Sequence, residues 1–303
     1  MPVTYEQLMA LQHRDLRVDY TEKDTILYAL SVGAGMAGAE EAALPFVYEG
    51  RRMRTLSSMA TVLMRAPVLS SGLDMRGVLH GEQRVTLHRA IPPTGRLLVD
   101  AGVSQVFDKG AGKGAVVVFA SNARLPSGEP VFTTETVILA RRDGGLGGPA
   151  GRLPDPYPIP ARAPDLTVPV ATRPDQALLY RLNEDRNPLH ADPELARLAG
   201  FPAPILHGLC TYGMACHALT AAVCGHDSDR IGFLGVRFAG PVFPGELIEL
   251  DAWMDGGTVS FRCRVPARQA VVLDHGCCIL KTTTGQEPAA GGLSPVPASH
   301  NLE

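Results

Sequence analysis

The chain has 303 residues, enough for about two domains. Hydrophobic residues make up 45% and charged residues 19%, ordinary globular usage that excludes long-range disorder. The formal net charge is −3, so no general basic field exists to hold nucleic acid and any polyanion site must be local.

Charges scattered through the first residues leave no uninterrupted apolar core, so no signal peptide is expected. Residues 23–32 and 55–64 read as helices. Four strand-like runs follow at 84–90, 97–107, 115–122 and 131–141, rich in Val, Thr, Phe or Leu and separated by Gly or Pro. Residues 143–170 hold 12 Gly or Pro in 28 positions, a density that neither a helix nor a central strand survives. They read as a linker crossing a surface. Beyond it come a short helix at 192–198, a long apolar helix at 209–223, and runs at 232–238, 247–254, 258–265 and 270–281. Residues 198–226 lack Asp, Glu, Lys and Arg and are long enough to span a bilayer. They open with Gly200, Pro202 and Pro204 and carry three histidines, so a loop plus a buried helix is expected, with no membrane span. The six cysteines include no Cys-x-x-Cys pair and read as reduced thiols of a cytoplasmic protein. From about residue 285 the composition predicts a disordered tail.

Each half thus reads helices first, then an antiparallel meander. IPPTGRLLVDA at 91–101 and PVFPGELIELD at 241–251 both place a Pro-bearing turn, then Gly-x-Leu, then a strand. Their offset is nearly half the chain, which points to duplication. The physical reading is a long apolar helix wrapped by a curved antiparallel sheet, twice over, with the sheets side by side. The expected units are 1–142, a linker at 143–170, 171–284, and a tail at 285–303.

The richest chemistry lies in YRLNEDRNPLHADPELARLAGFPAPILHGLCTYG, residues 180–213. Asp192-Pro193-Glu194 is a helix start, with Asp as cap and Pro at the first helical position. Asp185 and His190 therefore lie in the turn before that helix, where both side chains can enter one cavity. A carboxylate beside an imidazole is a common general acid/base pair, although a surface turn with a solvated histidine uses the same residues. His207-Gly208 stands directly before the long apolar helix. The N–H groups there lack intrahelical partners, and glycine lets a ligand approach closely, so the spot can hold a developing oxyanion. Cys210, Cys216 and His217 do not share one helix face and have no carboxylate among them, so no metal is expected. Gly144-Gly145-x-Gly147-Gly148 lacks the Lys-Ser/Thr and the helix of a phosphate loop.

This run resembles the signature of the hydratase 2 family, the R-specific 2-enoyl-CoA hydratases of MaoC-like, double hot-dog type. The likeness rests on its Asp-x-Asn-Pro-Leu-His core and its Pro-Ile-Leu-His-Gly-Leu-Cys-Thr run. It extends over nearly the whole chain. Tyr20-Thr21-Glu22-Lys23-Asp24 looks like the family's first helix entry, and Leu79-His80-Gly81-Glu82-Gln83 like its N-domain substrate strand. Asp108-Lys109-Gly110 with Gly112-Lys113-Gly114 looks like the turn that reaches coenzyme A. Gly235-Val236-Arg237-Phe238-Ala239 and Pro244-Gly245-Glu246 resemble the C-domain strand and turn. Asn183-Glu184 stand where Ser-Gly is more usual, which puts an extra acid beside the turn.

The resemblance implies an α+β double hot dog whose C-terminal half alone keeps the catalytic turn, while the N-terminal half gives room to the acyl chain. It implies a lyase that reversibly hydrates trans-2-enoyl-CoA to (3R)-3-hydroxyacyl-CoA in fatty acid or steroid side-chain metabolism. Asp185 and His190 would be the dyad, Asn187 would orient it or the water, and the Gly208 N–H would receive the thioester oxygen. His80, Gly81, Lys109, Arg186, Pro188, Leu189 and Phe238 would contact the acyl-CoA. No metal or other cofactor is required, because an enoyl thioester is already polarised. A homodimer is expected. A hot-dog thioesterase and a non-catalytic acyl-CoA binder are the rival readings, and the intact dyad argues against both.

Overall fold

The computed structural model describes residues 3–36, 38 and 40–281, so the predicted tail from 285 lies outside the described residues. In chain order the strands are β1 (Gln12–Tyr20), β2 (Val78–Leu87), β3 (Gly95–Asp108), β4 (Ala115–Arg124), β5 (Pro130–Ala140), β6 (Leu166–Ala171), β7 (Ile231–Phe238), β8 (Leu247–Asp255), β9 (Thr258–Val265) and β10 (Ala270–Leu280). The helices are α1 (Tyr5–Met9), α2 (Glu22–Ser31), α3 (Leu44–Val47), α4 (Ala60–Leu63), α5 (Gln176–Tyr180), α6 (Pro193–Leu198) and α7 (Gly208–Ala222).

The strands form one sheet in the order β1-β3-β4-β5-β2-β7-β10-β9-β8-β6. Read inward from either edge, the two halves have the same order, β1-β3-β4-β5-β2 and β6-β8-β9-β10-β7. The halves are therefore pseudo-symmetric, and β2 pairs antiparallel with β7 at the seam. The two matched segments at 91–101 and 241–251 lead into β3 and β8, which hold equivalent places.

Two helices pack against this sheet. Ten of the 15 residues of α7 are buried, so it is apolar on nearly every side, as a core helix must be. The N-terminal counterpart α2 has only 10 residues. It stops before Gly33, whose φ of 96° is a left-handed backbone that glycine adopts without strain. The two helices cross at Gly213, where an added Cβ would lie 2.6 Å from Val32 Cγ1 and 2.8 Å from Tyr28 Oη.

The short helices α1, α3 and α5 were not expected, and three further differences from the sequence expectation shape the sheet and the seam. Residues 55–64 form only a 3-10 turn, Ser57–Met59, and the short α4. Ser57 bonds across the seam instead, its N–H to Ser228 Oγ at 2.7 Å and its Oγ to Ser228 O at 2.8 Å. The strand β1 was not expected. The strand β6 lies inside the predicted linker and carries Pro169, which an outermost strand tolerates because it has a free side. The rest of the linker runs over the sheet, where His275 Nδ1 donates to Tyr157 O at 2.8 Å and Trp253 Nε1 to Arg162 O at 2.8 Å.

Candidate active site

The turn between α5 and α6 is tied down at both ends. Upstream, Asn183 Nδ2 donates to Ser31 Oγ at 2.9 Å, which fastens the turn to the last residue of α2. Downstream, Asp192 caps α6 by accepting the Glu194 N–H at 2.8 Å, as its cap sequence predicts. Between them Glu184 adopts φ 76°, the left-handed region that favours glycine. Asp185 Oδ1 accepts the Asn187 N–H at 3.3 Å, and Asn187 Oδ1 accepts the Leu189 N–H at 3.1 Å. That second bond caps the 3-10 turn Pro188–His190, so Asn187 shapes the turn that carries the imidazole.

Two backbone carbonyls fix the tautomers of two histidines. His190 Nδ1 donates to Ile205 O at 2.9 Å, leaving Nε2 bare. His207 Nε2 donates to Asp185 O at 3.1 Å, leaving Nδ1 bare. The rings stack with centroids 3.7 Å apart and planes 28° apart, and Tyr180 packs on His207 at 4.9 Å. His190 and His207 are buried, Asp185 is half-buried, and side-chain ligand atoms of all three lie within 4.8 Å of one another.

Burial, the largest influence, lowers the basicity of these imidazoles because a buried cation loses its hydration. His190 is pushed below its usual value by burial, against the pull of the Ile205 carbonyl and the Asp185 charge. His207 is pushed down to about 4 by burial and by the neighbouring His190. Both rest as neutral rings, and a neutral His190 with a bare Nε2 is a proton acceptor.

The N-terminal half contributes from across the seam. A β-bulge in β2 shifts the register between His80 and Glu82, so the two side chains project from opposite faces of the sheet. Glu82 accepts from Arg237 Nε at 2.9 Å on the outer face, clamping β2 to β7. His80 packs against Phe238 with centroids 4.6 Å apart. Its pKa falls to about 4, chiefly through burial, with the Asp185 charge pulling upward, which places His80 within electrostatic reach of the turn. The Phe238 ring in turn backs Gly208, where an added Cβ would sit 3.1 Å from Phe238 Cε1. Gly208 opens α7, is exposed, and its N–H has no backbone acceptor among the described residues. His80 Nε2 and His207 Nδ1 are likewise buried without a partner.

The structure thus brings Asp185, His190, Gly208, His80 and Phe238 to one place on the seam. Gly81 forms the bulge itself. Arg186, Asn187 and Pro188 are exposed and Leu189 half-buried on the rim of the turn. Lys109 is exposed in the turn between β3 and β4, several strands away. His207 was read in the sequence only as the residue before Gly208. Its place in the Asp185 cluster follows from the same His-Gly pair at the helix start, but which ring it meets depends on how the turn folds back.

Residues 157–273 match the MaoC like domain, and residues 18–142 match the MFE-2 hydratase 2 N-terminal domain. A Mycobacterium tuberculosis protein named 3-hydroxyacyl-thioester dehydratase Y is 41% identical over 85% of this chain and 92% of its own. Another from the same organism, enoyl-CoA hydratase ChsH3, is 38% identical over 91% of this chain and 98% of its own. The crystal structure of a MaoC-like dehydratase from Phytophthora capsici superposes with a TM-score of 0.81 at 31% identity, covering 92% of this chain and 98% of that one. The chain belongs to the MaoC-like hydratase 2 family of double hot-dog proteins. Its class is that of the hydratases, which are lyases.

Proposed function

We propose that this protein reversibly adds water to a trans-2-enoyl-CoA, giving (3R)-3-hydroxyacyl-CoA in acyl-CoA metabolism. One observation carries the reading. A carboxylate and an imidazole with its bare nitrogen fixed by tautomer sit together beside an unpartnered helix-start N–H. In the reaction, water loses a proton to Asp185 or His190 as its oxygen bonds C3. The thioester oxygen takes up the displaced charge and meets the Gly208 N–H. C2 then gains the proton, so none is gained or lost overall. A water held between two fixed groups reaches one face of C3, which favours a single alcohol hand.

The N-terminal half lends His80 and the bulge at Gly81 and takes no part in proton transfer. Its helix α2 is shorter than α7, 10 residues against 15, which supports placing the acyl chain of a fatty or steroid side-chain substrate there. Lys109, and Arg186 on the rim, suit the phosphates of coenzyme A. The reaction needs no metal or redox cofactor. No helix among the described residues is long and apolar enough to cross a membrane. The six unpaired, buried cysteines support a reducing compartment such as the cytoplasm. The test is absorbance at the conjugated enoyl thioester band with crotonyl-CoA. Loss of the band without free thiol supports hydration, whereas release of thiol identifies a thioesterase.

A further inference from the structure

His207 is where the turn of the dyad meets the helix start at Gly208, yet the proposed reaction gives it no part. Its side chain is buried, and its bare Nδ1 has no partner among the described residues. His207 occupies the N-cap of α7, with φ −59° and ψ 136°. At that position a Ser, Thr, Asp or Asn side chain would turn back and accept an N–H of the first helical turn. The imidazole makes no such bond. Only the His207 carbonyl serves the helix, accepting the Cys210 N–H at 3.0 Å and the Thr211 N–H at 3.1 Å. The side chain is left for the dyad: Nε2 donates to Asp185 O at 3.1 Å, and the ring lies against His190 with centroids 3.7 Å apart. One residue thus holds the Asp185 backbone, backs the His190 ring and is bonded to Gly208. A side chain that capped its own helix would occupy a donor of the helix start and release the turn.

The two side-chain contacts have separate consequences. The bond to Asp185 O fixes the main chain at the carboxylate. The stack keeps water off one face of His190, whose basicity is lowered chiefly by burial. The ionisable groups around the two rings are Asp185 in the turn, Arg181 at the end of α5, whose charge acts on His207, and His80 of β2, which the Asp185 charge reaches. Asp192, Glu194 and Arg197, of α6 and its cap, are exposed. Burial first, then His190 and more weakly Arg181, disfavour a cation at His207, so the ring beside His190 is neutral.

We propose that His207 is a positioning residue that registers the three groups of the reaction against one another. Its Nε2–H holds the turn at Asp185, its ring backs His190 and shields it from water, and its main chain sets Gly208 at an uncapped helix start. The proposal deepens the hydratase reading and rests on it. Positioning of groups that act on the reacting carbons appears in kcat more than in KM.

The test uses two reciprocal changes in the whole protein. His207→Gln keeps a donor for Asp185 O and removes the ring, whereas His207→Phe keeps a ring against His190 and removes the donor. Each is measured for kcat and KM on crotonyl-CoA across pH, and the His190 ring is titrated by NMR without substrate. His207→Phe should lower kcat about 10–100-fold at little-changed KM, the effect of a slightly misplaced group, while His190 titrates where it does in the unaltered protein. His207→Gln should admit water to His190 and raise its titration point. The acid limb of kcat/KM then moves to higher pH, because the neutral ring is the form that accepts a proton. Unchanged kcat in His207→Phe, or an unmoved His190 titration in His207→Gln, overturns the proposal and leaves the hydratase reading standing. If a variant does not fold, the titration of His207 in the unaltered protein decides. A ring that stays neutral down to about 4 agrees with the proposal, and one that titrates near its ordinary value of about 6.5 is solvated and overturns it. Failure of the unaltered protein to hydrate crotonyl-CoA sinks the hydratase reading instead.

Discussion

Glu184 shows how one residue can carry strain without being part of the chemistry. Its φ of 76° is left-handed, and a non-glycine residue there costs about 1–2 kcal/mol. The family resemblance puts Gly at this position, and the backbone explains the preference. Glu184→Gly should therefore raise the melting temperature by about 2–4 °C for a chain of this size and keep the activity. A lower melting temperature in a calorimetric scan would show that the strain is not there. The buried histidines give a second expectation. His80 and His207 are depressed to about 4, so the unfolded chain binds their protons first as the pH falls. Stability should be fully present above about pH 6.5 and decline from there towards pH 4, each unit of depression being worth about 1.4 kcal/mol per group. Urea unfolding midpoints that stay flat from pH 7 to pH 4.5 would contradict the burial of both rings.

At the scale of elements, the first turn of α7 does most to join fold and chemistry. Gly208 combines an open N–H with the Phe238 ring tight against it. Gly208→Ala keeps the N–H but sets a Cβ 3.1 Å from Phe238 Cε1, which should crowd the approach to that donor and lower kcat about 10–100-fold, part of the 10²–10³ such a donor is typically worth. Unchanged kcat would show that the reaction does not need a close approach at this helix start. The long helix α7, the cap at Asp192 and most strands are legible in the sequence because apolar runs and cap residues act locally. The strand β1 is not, because Gln12–Tyr20 is dense in charge and only Val18 and Tyr20 are buried. Its pairing with β3 is a long-range fact. The strand β6 hides in a proline-rich run for a related reason, since an edge needs only one bonded side. The helix expected at 55–64 fails because Ser57 is engaged by Ser228 from the other half. Asp185, His190 and Gly208 can be picked out in the sequence as candidate site residues, whereas the stacking of His207 on His190 depends on how distant turns meet.

The whole molecule is two structurally equivalent halves that the proposed reaction uses unequally. The turn that holds Asp185 is fastened to Ser31 of the N-terminal half, and His80 reaches the site through a bulge in that same half. A chain of residues 157–303 alone, which keeps β6, should therefore be inactive and poorly soluble. It would expose β7 as an unpaired edge and uncover the apolar face that α2 shields. A soluble, fully active C-terminal half would overturn this division of labour. The outer edges of the intact sheet are blunted, by a register shift between His13 and Leu16 in β1 and by Pro169 in β6, so growth of the sheet from either end is disfavoured.

The central claim is that Asp185 and His190 together add water to one face of an enoyl thioester. It is tested most directly by following crotonyl-CoA with the unaltered protein, Asp185→Asn and His190→Ala, and oxidising the product in parallel with (R)- and (S)-specific 3-hydroxyacyl-CoA dehydrogenases. The account predicts loss of the enoyl band without free thiol, oxidation by the (R)-specific enzyme alone, and a fall of about 10²–10⁴ in kcat for each variant at unchanged melting temperature. Oxidation by the (S)-specific enzyme alone, or a variant that keeps the unaltered kcat, would contradict it.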